Sequence, residues 1–220
     1  MRESPQLPFA DTAVPRPWDA RFARRLVTPL KSSWVTPNHL TTVRLLVGLV
    51  AAKAFTFGTY GWSNLAALLV VLSNFLDHAD GELARISGKS SRFGHLYDLA
   101  SDALLTVLVF VAIGAGIGTR HSVGSTSIAS LPGAVLGVTA GSAIALIFVL
   151  RMRIEAIAGK AGTRQATVGG FETEDVLYLL PLVTICNVLP QFLTAAAIGA
   201  PLFAIGVVVQ YLRVRRPAQP

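Results

Sequence analysis

The chain has a single cysteine in 220 residues, and charged residues make up only 14% of it. The lone thiol, Cys186, excludes an internal disulfide, and its place in an apolar stretch gives it a packing role. Soluble domains usually carry about 25% charged residues, so the shortage argues against a water-soluble globule. Acids are scarcer than bases, with 12 Asp+Glu against 19 Lys+Arg and a net charge of +7. The N-terminal segment is polar and holds Pro5, Pro8, Pro15 and Pro17. It lacks the apolar core of a secretory signal, so no cleavage is expected. No convincing internal repeat is visible, which weakens a transporter built from inverted halves, with carboxylates as an ion relay.

What the chain has in plenty is apolar sequence: 52% hydrophobic residues and a mean hydropathy of +0.57. The pattern predicts an all-α, polytopic membrane bundle of six transmembrane helices. The spans fall at about 39–57, 62–80, 96–117, 132–152, 174–189 and 192–212, the fifth being short and holding Pro181. Two regions are expected: residues 1–36 as a tail with a juxtamembrane helix, and residues 37–220 as the membrane domain. In the first, Trp18, Phe22, Leu26, Val27 and Leu30 interleave with Arg21, Arg24, Arg25 and Lys31, the pattern of an amphipathic helix lying in the interface.

Six spans place all but two of the 19 Lys and Arg on one side; Lys53 and Arg120 are the exceptions. That bias predicts both termini in the cytoplasm, in the cell (inner) membrane. The acidic residues fall on the same side. The spread of positive charge therefore points to topology and anionic lipid or phosphate, with no nucleic acid as partner. In the fourth span Gly133, Gly137 and Gly141 recur every four residues. Such a ladder permits close helix contact, inside one chain or across a homodimer.

Carboxylates beside apolar spans are costly and usually functional. Asp77 and Asp80 are three apart near the end of the second span, and Asp98 and Asp102 are four apart at the start of the third. On helices each spacing puts both carboxylates on one face. The connection between the spans supplies Gly81, Gly88 and Gly94. Antiparallel neighbouring helices would then bring the two pairs opposite each other. Four close carboxylates repel unless cations are bound, and hard oxygen ligands favour Mg²⁺ or Mn²⁺, with four carboxylates enough to hold two ions. Gly81 and Ala84 leave room against the helix backbone, and Arg85 offers a planar cation suited to phosphate.

The run Asp77-x-x-Asp80-Gly81-x-x-Ala84-Arg85, eight residues, then Gly94-x-x-x-Asp98-x-x-x-Asp102 resembles the signature of the CDP-alcohol phosphatidyltransferases. Its eight defining positions match at the family's spacing. The run Thr36-Pro37-Asn38-His39-Leu40-Thr41, leading into the first span, is similar more loosely. The resemblance implies transfer of a phosphatidyl group from a CDP-linked donor, usually CDP-diacylglycerol, to an alcohol hydroxyl, with release of CMP. It implies Asp77, Asp80 and Asp98 as metal ligands. Asp102 would be the general base and also a contact to a second ion. Asp77, Gly81, Ala84, Arg85 and Gly94 would line the donor site.

The acceptor is less legible. Arg151, Arg153, Lys160 and Arg164 could hold a phosphorylated acceptor such as glycerol 3-phosphate or inositol phosphate, or they could be plain anchoring charge. Glu172, Glu174 and Asp175 either complement a helix dipole or orient that basic loop. A soluble CDP-polyol is an alternative donor. His78 and His95 flank the aspartates without being needed as ligands. Asn38 and Arg44 open the first span and either line the site or, for Arg44, snorkel to the interface.

Overall fold

A computed structural model describes residues 18–89, 91–122, 131–158 and 177–215. Among these every regular element is helical: α1 (Trp18–Val27), α2 (Pro37–Thr56), α3 (Tyr60–Ser87), α4 (Arg92–Ser122), α5 (Leu131–Ala158), α6 (Leu180–Ile185) and α7 (Leu189–Arg215). A short 3-10 turn, Thr28–Leu30, follows α1.

The helix ends follow local chemistry. Pro37 opens α2, where its missing N–H costs nothing. The Thr36 N–H donates to His39 Nδ1 at 3.2 Å, so His39 closes the first turn from inside. Gly88 ends α3 at φ 68°, a left-handed position that glycine takes without a Cβ clash, and its N–H donates to the Ala84 carbonyl. Asn187, at φ 58°, turns the chain from α6 to α7.

Among the described residues four helices are long and apolar enough to cross a membrane: α2, α4, α5 and α7, the spans being 37–56, 93–119, 133–158 and 189–215. The expected 62–80 span lies within α3. That helix has 28 residues, roughly 42 Å at about 1.5 Å each, but Ser63, Asn64, Ser73, Asn74 and Asp77 dilute its apolar sequence. In the expected 174–189 span, the described part holds the six-residue α6 and the Asn187 turn, too short to cross; residues 174–176 lie outside the described residues. The outward faces carry exposed Leu46, Val50, Leu68, Val138, Ile198, Leu202 and Ile205, an apolar coat suited to lipid. With the apolar helices, it points to a membrane protein.

The core is built largely from small side chains. Ala51, Ala54 and Phe55 of α2 meet Ala66, Ala67 and Val70 of α3, with Val109, Phe110, Ala112 and Ile113 of α4 and Ala140 of α5. Between helices in lipid, close backbone approach replaces the hydrophobic drive, so small residues belong at the seams. The Gly133, Gly137 and Gly141 ladder is used inside the chain. It lies against Gly114, Phe110 and Val107 of α4, and a Cβ on Gly137 would overlap the Phe110 carbonyl oxygen.

One expectation fails. α3 and α4 are not packed neighbours: among the described residues α2 packs on both, and α3 makes no helix contact with α4. Ser73 Oγ of α3 donates to the Arg44 carbonyl of α2 at 3.2 Å. On the other side Leu105 of α4 fills the space left by Gly48 of α2. These two fits wedge α2 between the halves of the aspartate motif.

The amphipathic segment forms α1, and it docks on protein as well as offering an apolar face. Ala23 and Val27 are buried against Ala79 and Leu83 of α3, while Phe22 and Leu26 stay half exposed.

Candidate active site

The last turns of α3 and the first turns of α4 bring carboxylates to either side of α2. Oxygens of Asp77, Asp98 and Asp102 lie within 4.8 Å of one another, and all three residues are partly buried. They converge on one cation. Arg44 of α2 donates from Nη1 to Asp77 Oδ1 at 2.5 Å and to Asp98 Oδ1 at 2.8 Å, and its Nη2 pairs with Asp102 Oδ1. Arg44 is 3% exposed, so it lines the site and does not snorkel. One guanidinium against three carboxylates leaves the cluster with excess negative charge.

The fourth aspartate has a partner of its own. Asp80 is 4% exposed and accepts a hydrogen bond from Thr41 Oγ1 at 2.7 Å. Thr41 is itself buried on α2, three residues before Arg44. Consecutive turns of α2 thus serve both parts of the motif: Thr41 receives Asp80, and Arg44 receives the other three.

Around this centre the motif's glycines do different work, Gly81 leaving space and Gly94 allowing close approach. A Cβ on Gly81 would meet nothing nearer than the Arg85 Nη2 at 3.9 Å. Gly94 faces Asn38 of α2, whose Oδ1 a Cβ there would approach to 2.6 Å. Thr42 Oγ1 and Tyr97 Oη, 3.2 Å apart, continue that α2–α4 contact. Asn38 therefore sits beside the site, as its position suggested.

Arg85 is mostly exposed and pairs with Glu82, one turn earlier on α3. Glu82 is 1% exposed and also lies 3.9 Å from Arg24 of α1. Sequence reading missed Glu82 because it occupies a variable position of the motif. The signal was available in the Glu-x-x-Arg spacing, which puts the two charges on one helix face. Ala84, half buried, shares this stretch.

Among the acceptor candidates, Arg151 Cζ lies 5.5 Å from the centroid of the Phe203 ring, a cation–π contact joining α5 to α7. Arg153 is exposed. Lys160, Arg164, Glu172, Glu174 and Asp175 lie outside the described residues. His78 stacks on Tyr178 at 6.4 Å between centroids, an aromatic contact from α3 toward α6. His95 is exposed.

The donor set suits a hard divalent cation: three convergent carboxylates, oxygen only, already gathered about a positive charge.

The sequence model of the CDP-alcohol phosphatidyltransferases matches residues 34–212. The chain belongs to this family. An archaetidylinositol phosphate synthase of Pyrococcus horikoshii is 34% identical over 101 residues, 46% of this chain and 52% of that protein. A CDP-diacylglycerol–glycerol-3-phosphate 3-phosphatidyltransferase of Cereibacter sphaeroides is 35% identical over 82 residues, 37% of each chain. The matches span about half the length of these curated relatives, or less. Among solved structures, the phosphatidylinositol phosphate synthase of Mycobacterium tuberculosis with CDP-DAG bound aligns with a TM-score of 0.58 at 20% identity. That alignment covers 88% of this chain and 91% of the other. It shows a shared fold.

Proposed function

We propose that this chain transfers a phosphatidyl group from CDP-diacylglycerol to the hydroxyl of a small phosphorylated alcohol, glycerol 3-phosphate or inositol phosphate, and releases CMP. The observation that carries the reading is the convergence of Asp77, Asp98 and Asp102, within 4.8 Å, inside a chain of this family. Relatives whose names specify inositol phosphate and glycerol 3-phosphate support the choice of acceptor class.

In this reading Asp77, Asp98 and Asp102, with Asp80 completing the set, hold Mg²⁺ or Mn²⁺ in one or two ions. The bound cation supplies charge to neutralise the donor diphosphate and the developing negative charge. The open face at Gly81 and Ala84 receives the cytidine end of the donor, and Gly94 lets Asn38 pack close against α4. Arg85, anchored by Glu82, offers its guanidinium to phosphate oxygens. Asp102 takes the proton from the acceptor hydroxyl as that oxygen bonds to the phosphorus distal to cytidine. The bond from that phosphorus to the bridging oxygen breaks, and its electron pair leaves with CMP. Arg151, Arg153, Lys160 and Arg164 form the acceptor's phosphate pocket. The site opens to the cytoplasmic side of the cell membrane. The expected homodimer gains no support from the glycine ladder, which is used within the chain.

The test is CMP release by the purified protein from CDP-diacylglycerol and from a soluble CDP-polyol, with Mg²⁺ or Mn²⁺. Each donor is offered glycerol 3-phosphate, inositol phosphate, inositol, serine and choline. Release with CDP-diacylglycerol and one phosphorylated acceptor is expected. Release confined to serine, choline or the soluble donor would overturn the substrate assignment.

A further inference from the structure

Arg44 bridges the two halves of the aspartate motif, whose carboxylate oxygens lie within 4.8 Å of one another. α3 brings Asp77, α4 brings Asp98 and Asp102, and the two helices do not pack on each other. The shared contact is the guanidinium of α2, 3% exposed, with Nη1 on Asp77 and Asp98 and Nη2 on Asp102. Removing one partner from such a buried ionic group leaves uncompensated charge, the costly case.

The arginine is nevertheless incompletely satisfied. Its Nε is buried without a hydrogen-bond partner. Buried donors left unmade are unfavourable. Its hold on the site thus runs through the Nη atoms and the three carboxylates alone. Its backbone is fixed separately, through the Ser73 hydrogen bond to the Arg44 carbonyl, so the side chain can move while α2 stays in place.

We infer that Arg44 is a built-in counter-cation: it keeps Asp77, Asp98 and Asp102 assembled and competes with divalent metal for the same three carboxylates. The inference rests on the proposed reading of these aspartates as a divalent site. It makes Arg44 a positioning residue that sets how tightly metal is held. Weak metal binding leaves the cation free to exchange, while the arginine prevents the cluster from flying apart between occupancies.

The experiment uses the purified full chain in detergent, with Mn²⁺ as the probe. Binding is read by electron paramagnetic resonance, and unfolding temperature is read in EDTA and along a Mn²⁺ titration. Arg44→Gln keeps bulk and removes charge. It is expected to unfold at lower temperature than wild type in EDTA and to regain more with Mn²⁺. It is also expected to bind Mn²⁺ at least about tenfold more tightly, the scale on which one adjacent charge shifts a neighbouring equilibrium. Arg44→Lys keeps the charge but reaches fewer carboxylates. It is expected to fall between the two, and it decides the matter if the glutamine variant does not fold. Equal or weaker Mn²⁺ binding by the folded variants would overturn the inference while leaving the metal site standing. No Mn²⁺ binding by wild type or by either variant would overturn both.

Discussion

The two halves of α4 are held to the rest of the chain by opposite means. Its first turns carry Asp98 and Asp102, joined across space to Arg44 and facing Asp77. Its later turns carry Gly114 and Gly116, where the Gly133 and Phe55 carbonyls come against bare backbone. At one end a gap between helices is filled by opposite charge. At the other there is no gap, because side chains are absent. The difference teaches where change is tolerated. On the role inferred for Arg44, the charged end exchanges one cation for another without moving helices. The glycine end can accept nothing larger without separating them.

The sharpest way to break the comparison is at the charged end. Asp102→Asn keeps size and loses the proposed base, and it is expected to lower CMP release by about 10²–10⁴-fold. CDP binding and unfolding temperature should change little. Loss of CDP binding in that variant would contradict the base assignment.

The next largest effect belongs to the glycine end. Gly137→Leu would drive a side chain into the Phe110 carbonyl. Overpacking typically costs about 1–3 kcal/mol, and here the obstacle is backbone, so a lowered unfolding temperature and poor folded yield are expected. Thr41→Val is milder. It removes the hydroxyl that donates to buried Asp80, and an unpaired buried acceptor costs about 1–3 kcal/mol. The thermal shift should be accompanied by little change in Mn²⁺ binding at the other three aspartates. Gly206→Ala is the control for the glycine argument. Nothing lies within 4 Å of a Cβ there, so the substitution should be neutral or raise stability by about 0.5–1 kcal/mol. A loss as large as that of Gly137→Leu would show that helix glycines matter here for some reason other than close approach.

Much of the site was legible because carboxylate spacing on a helix is a local property. Asp98 and Asp102, four apart, do lie together, and Asp77 joins them. Asp80 is bonded by Thr41, from a distant stretch of sequence, and is not one of the three convergent carboxylates. The arrangement of helices was not legible. Which helix lies between α3 and α4 depends on long-range fits such as Leu105 over Gly48, and no periodicity records them. For the same reason Arg44 could be read equally as lining the site or as an interfacial anchor. The ladder of Gly133, Gly137 and Gly141 announced a close contact but not its partner, since α4 and a second copy would leave the same pattern. The apolar runs located α2, α4, α5 and α7. The expected 62–80 span lies within the 28-residue α3, where polar residues such as Ser63, Asn64, Ser73 and Asn74 interrupt the apolar sequence.

The central claim is that Asp77, Asp98 and Asp102 act as one cation-dependent centre for phosphatidyl transfer. The most direct measurement is CMP release from CDP-diacylglycerol by protein stripped with EDTA, before and after Mn²⁺ is returned, in wild type and in Asp98→Asn. The account predicts silence in EDTA, recovery with Mn²⁺ in wild type, and no recovery in the variant. Release that survives EDTA, or that is undiminished in Asp98→Asn, would contradict it.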